Sequence, residues 1–69
     1  MNETIVIDGV AYELEARRDG NKWVGAYTDP ETGELKPINS LRDTPIEALG
    51  VARAYVNARH KASRKGPTG

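Results

Sequence analysis

The chain predicts an α+β domain, an antiparallel β-meander of three to four strands packed on one C-terminal α-helix, and three observations lead there. Asp8-Gly9 and Asp19-Gly20 interrupt alternating segments, and Asp-Gly supplies the positive φ that two-residue hairpin turns require. The apolar residues around those turns fall on a single face. Thr44-Pro45-Ile46-Glu47 then opens a helix, with Thr44 as cap, Pro45 in the first turn and Glu47 reaching back to the Thr44 amide.

The first turn pairs Ile7 with Val10 and Ile5 with Tyr12. Turning at Asp19-Gly20 pairs Ala16 with Trp23, Leu14 with Gly25 and Tyr12 with Tyr27. Ile5, Ile7, Val10, Tyr12, Leu14, Ala16, Trp23 and Tyr27 then share a face, as strand alternation demands, and Trp23 is assigned to the core. The other face carries Val6, Ala11, Glu13, Glu15, Arg17, Val24 and Ala26, and is acidic at its middle. Asp29-Pro30-Glu31-Thr32-Gly33 reads as a longer loop, with Gly33 in the left-handed position. Leu35 to Asn39 is a short edge strand or extended loop, because Pro37 cannot donate to a ladder. The helix is expected from Pro45 to about Ala62, with Ala48, Leu49, Ala52, Tyr55 and Val56 on the sheet and Ile46 at the margin. Residues 1–62 thus form one ββ(β)βα domain, and residues 63–69 are expected as a flexible basic tail.

A chain of 69 residues makes one small core, expected to supply no more than roughly 3–5 kcal/mol, so dimerisation or a partner would help it. Hydrophobic residues at 38% and charged residues at 29% suit a globule rather than a disordered chain. Without cysteine there are neither disulfides nor thiolate metal sites. No apolar run approaches the roughly 18 residues of a membrane span, and Met1-Asn2-Glu3 does not begin a signal peptide, so the cytoplasm is the expected location. The formal charge of zero hides a split: residues 1–50 hold ten acids against five bases, a net of −5, and residues 51–69 hold five bases and no acid, +5. A basic end after an acidic body is one signature of nucleic-acid contact, here through Arg59, Lys61, Arg64 and Lys65. Cations also suit the negative end of a helix dipole and a solvated tail.

Chemistry is sparse. His60 is the single histidine and reads as a solvated helix-end residue; a hydrolytic triad would need it to meet Ser40 or Ser63. Asp29, Glu31 and Glu34 crowd one loop without the spacing of a calcium loop, and acidic turn residues account for them. Glu13 and Glu15 lie on a strand face without a cleft. No catalytic residue, cofactor or metal is expected. One feature exceeds ordinary surface: the outer side of the helix presents Gly50, Ala54 and Ala58, flanked by Val51 and Ala62, where charge is usual. Small residues four apart let a second helix approach closely, and a glycine inside a helix costs about 1 kcal/mol relative to alanine.

The segment Asn21-Lys22-Trp23-Val24-Gly25-Ala26-Tyr27-Thr28-Asp29-Pro30, followed by Asp43-Thr44-Pro45-Ile46-Glu47-Ala48-Leu49 with Ala52 and Tyr55, resembles two families. One is the AP2/integrase-type DNA-binding domain, whose Lys-Trp-Val-like strand precedes an Asp-Pro turn and a Thr-x-x-Glu-Ala helix start. The other is the HicB-like antitoxin fold, with a Gly-x-aromatic-Val strand and an Asp-Thr-x-Glu-Glu-Ala-Leu-like helix. Each resemblance covers about half the chain and implies a three-stranded sheet with one helix. AP2-like domains read DNA with arginines and a tryptophan on the sheet face away from the helix. Here that face offers Glu13, Glu15, Val24 and Ala26, with Arg17 the basic residue at its end, and phosphates would be repelled. The HicB-like Asp-Leu-Pro-Gly turn is replaced by Asp29-Pro30-Glu31-Thr32-Gly33, and a second DNA-binding domain is not expected in these 69 residues. The expectation is a small non-catalytic protein-interaction module, binding an unknown protein partner or forming a weak homodimer. The alternative is a nucleic-acid-binding module using the basic helix end and tail.

Overall fold

The first turn closes as expected: Asp8 (φ 51°) and Gly9 (φ 81°) both hold the left-handed conformation of a type I′ turn. In the computed structural model, which describes residues 1–65, the strands are β1 (Asn2–Ile7), β2 (Val10–Asp19), β3 (Lys22–Thr28) and β4 (Leu35–Arg42), followed by the helix α1 (Pro45–Lys65). The side chains of residues 63–65 and the whole of residues 66–69, with most of the expected tail, lie outside the described residues. The sheet is antiparallel in the order β1-β2-β3-β4, and α1 packs on one face of it, an α+β fold.

Ile5 pairs with Tyr12 and Ile7 with Val10, as the sequence predicts. The second hairpin is corrected by two residues. Asp19 pairs with Lys22, so the turn is Gly20-Asn21, and Leu14 meets Tyr27, Ala16 meets Gly25 and Arg18 meets Trp23. Gly20 at φ 64° occupies the first central position, where a type II′ turn wants glycine. A slip of two preserves the side-chain face, so the expected apolar face survives the correction. Trp23 does not: near the start of β3 and opposite Arg18, it is half-buried at the rim of the core rather than inside it.

In the third turn, Gly33 (φ 78°) donates its N–H to the Asp29 carbonyl at 2.8 Å, and the Asp29 N–H donates to that of Glu34 at 2.8 Å. β4 is a full eight-residue strand, longer than expected. It absorbs Pro37 at the sheet's edge with an irregularity opposite Val24 to Ala26.

Thr44 caps α1 through its hydroxyl, which accepts the Glu47 N–H at 3.2 Å, and its carbonyl accepts the Ala48 N–H at 3.1 Å. The helix runs to Lys65, beyond the expected end near Ala62. Its buried face, Ala48, Leu49, Ala52 and Val56, meets Leu14, Ala16, Tyr27 and Ile38 of the sheet. Tyr55, expected on the sheet, is 43% exposed and lies tilted against Tyr27, ring centres 5.5 Å apart. Ala26 stands on the far face yet is fully buried, because Glu15 of β2 and Pro37 of β4 flank so small a side chain in the sheet's centre.

Candidate functional site

α1 begins beside the β2–β3 turn, where Lys22 of β3 forms an ion pair with Asp43. From Pro45 to His60 a helix rises about 22 Å. Six residues of strand cover about 20 Å. His60 therefore arrives at the opposite end of the sheet, level with the β1–β2 turn and the β3–β4 loop. There Val10, Tyr12, Tyr27, Asp29, Glu31, Arg59 and His60 help to line an open groove of about 740 Å³.

His60 is not the solvated helix-end residue its position suggested. Its side chain is 12% exposed. Tyr12 Oη lies 2.8 Å from Nδ1, and Asp8 Oδ2 lies 3.1 Å from Nε2. An ionised carboxylate only accepts, so Nε2 donates to Asp8, and the Tyr12 hydroxyl, which can donate or accept, satisfies Nδ1. The rings of Tyr12 and His60 meet edge to face, 5.9 Å apart. Asp8 and Tyr12, both far from His60 in sequence, thus clasp the end of the helix to the first hairpin. Both ring nitrogens are thereby engaged by side chains of the first hairpin.

Asp29, expected as an ordinary acidic turn residue, is buried across the groove. Its carboxylate accepts the Glu31 N–H at 2.9 Å and pairs with Lys36 Nζ at 3.2 Å. The Glu31 amide first, and then Lys36, hold the Asp29 carboxyl below its ordinary value of 3.8, against the opposing effect of burial. Among the described residues no His, Cys, Asp and Glu side chains cluster to hold a metal, and Glu31 and Glu34 do not join Asp29 for that purpose.

The residues singled out for contact divide. Gly50 has open space where a side chain would stand, and Ala54 and Ala58 are exposed, so these three keep to the outer side of α1. Val51 does not belong with them; it is half-buried against the core. It lies about 60° round the helix from the buried Ala48, near enough for its methyls to reach the core's edge. Of the basic residues, Arg59 faces the groove that holds Asp29 and Glu31, and Lys61 is exposed. Arg64 and Lys65 lie in the last helical turn, with side chains outside the described residues.

The sheet face away from α1 is covered by no other described element. It carries Val6, 66% exposed, Leu41, 54% exposed, and the exposed Leu35. Val24 stands opposite Leu41, Ala26 opposite Pro37 and Thr28 opposite Leu35, giving a largely apolar strip along β3 and β4. Beside it on β2 lie exposed Glu13 and half-buried Glu15, the latter accepting from Arg17 at 2.7 Å. No described helix is long and apolar enough to cross a membrane. Comparison with protein-family models, curated proteins and solved structures gives no match.

Proposed function

We propose that this chain is a small non-catalytic protein-interaction module that binds through the uncovered face of its sheet. One observation carries the reading: three large apolar side chains, Val6, Leu35 and Leu41, stand exposed on a face where an apolar strip runs beside the carboxylates of Glu13 and Glu15. Exposed apolar area of this kind is costly to leave in water and marks contact surfaces. The carboxylates select the occupant, a protein segment that carries lysine or arginine among aliphatic residues. The groove supports the reading less, because Asp8, Tyr12 and His60 already engage one another, and Asp29 is held by Lys36 and the Glu31 amide. The nucleic-acid alternative also has less support, since Arg59 faces carboxylates.

Amide chemical-shift mapping with a peptide of alternating lysine and leucine, and separately with a short DNA duplex, tests this reading. The peptide is expected to perturb Val6, Glu13, Val24 and Leu41, and Glu13→Lys is expected to weaken it about tenfold, the equivalent of one charge contact of roughly 1.4 kcal/mol. Perturbation by DNA alone, confined to the end of α1, would replace this reading with the nucleic-acid one.

A further inference from the structure

The two edges of the sheet are built differently. β4 carries Pro37 and an irregular register, both of which spoil an edge for further pairing. β1 is six residues of regular strand with neither device, in unbroken register with β2. Met1 exchanges both backbone bonds with Ala16, the Ala16 N–H donating at 2.8 Å and the Met1 amine donating at 3.4 Å. Bonded and non-bonded pairs alternate along an antiparallel ladder, so Glu3, Ile5 and Ile7 also bond to β2. The N–H and C=O groups of Asn2, Thr4 and Val6 therefore point away from the sheet, and no described strand pairs with them.

We propose that this free edge pairs with β1 of a second copy of the chain, antiparallel about a two-fold axis through Thr4. That register sets Thr4 against its own mate and Asn2 against Val6 of the other copy. Each outward donor then meets an outward acceptor, with six backbone hydrogen bonds across the axis. A threonine pair is a favourable cross-strand neighbour. An inward-pointing charge often protects an edge, and Glu3 is such a charge. Here it is neutralised from α1 by Arg53, whose Nη2 donates to both Glu3 oxygens at 2.7 and 2.9 Å. On the helix side Glu3 then lies opposite Ile5 of the mate without a free charge between the copies. The axis stands perpendicular to the sheet, so both uncovered faces lie on one side of an eight-stranded platform and both helices on the other. The contact is backbone-dominated and small, which makes a weak, concentration-dependent dimer. It uses the edge of β1 and does not depend on what binds the sheet face.

Sedimentation equilibrium of the full chain from about 10 to about 500 micromolar, the range for a small interface, tests the pairing. The expected result is a rise from the 7.5 kDa monomer toward twice that mass. Over the same range the Thr4 and Val6 amides gain protection from hydrogen exchange, while Ile5 is protected throughout. Thr4→Pro removes an outward donor that β2 does not use, and edge strands accept proline. Thr4→Lys leaves the backbone intact and sets two like charges across the axis. Both variants are expected to remain monomeric with an unchanged circular-dichroism spectrum, and A54E, on the outer side of α1, is expected to dimerise like the wild type. A wild type monomeric throughout, a dimer that survives both Thr4 variants, or one abolished by A54E would overturn the proposal.

Discussion

The two halves of α1 meet the sheet in opposite ways. Near its start, Ala48 and Ala52 are fully buried over Gly25, where the absence of a side chain lets helix and strand backbones approach. Near its end, the helix stands off far enough to leave the groove, bridged by Tyr12, His60 and Asp8. Apolar packing has no direction and gains from every increment of closeness, so small residues there draw the backbones together. Hydrogen bonds work at fixed distance and angle, so long polar side chains can hold two elements together across a gap. The tight half supplies the stability, and the splayed half sets where the helix end sits.

The largest expected effect is at the tight half. A Cβ added at Gly25 would overlap the Ala48 carbonyl and lie 3.3 Å from the Ala52 Cβ. Backbone cannot swing aside like a flexible side chain, so Gly25→Ala is expected to cost about 3 kcal/mol, the upper part of the range for overpacking. Urea denaturation measures it, and a loss below about 1 kcal/mol would show that the two backbones separate freely.

A smaller loss is expected at the splayed half. His60→Phe keeps a ring in place and removes both hydrogen bonds, for an expected cost of about 1–2 kcal/mol. The effect is local: amide exchange should quicken over residues 57–62 and stay unchanged around Ala48. Uniform quickening would mean that the clasp and the core form a single cooperative unit.

The smallest effect is pH-dependent. The Asp29 carboxyl titrates below its ordinary 3.8 in the folded chain, so the folded state binds its proton less readily than the unfolded one. Its contribution is complete above the unfolded value and disappears as pH falls through the folded one. Denaturation midpoints from pH 7 to pH 2 are expected to fall less steeply below the ordinary value in Asp29→Asn than in the wild type. Parallel curves would remove Asp29 from the acid response. Asp43, held low by Lys22, has the same sign on an exposed surface.

The elements were legible because their signals are local. Asp8-Gly9 is its own turn, and Thr44 caps the helix from one residue away. The candidate site was less so. Glu13, Glu15 and Val24 were correctly placed on the uncovered face by alternation alone, whereas the exposed Leu41 lay beyond the expected end of its strand. His60 carried no local sign of its partners; comparing helix rise with strand rise would have brought it level with Asp8 and Tyr12.

Alternation and turn chemistry by themselves determined the order of elements and which face of each strand turns inward, because both act over a few residues. The face assignment even survived the slip in the second hairpin, since a period of two cannot register a shift of two. Tertiary structure alone decided the rest: the turn at Gly20-Asn21, the burial of Ala26 and Asp29, the inward side of Val51 and the clasp on His60. Each depends on which strands, loop and helix come together, which local pattern does not specify, and the close fit of Ala48 and Ala52 over Gly25 fixes the helix among them.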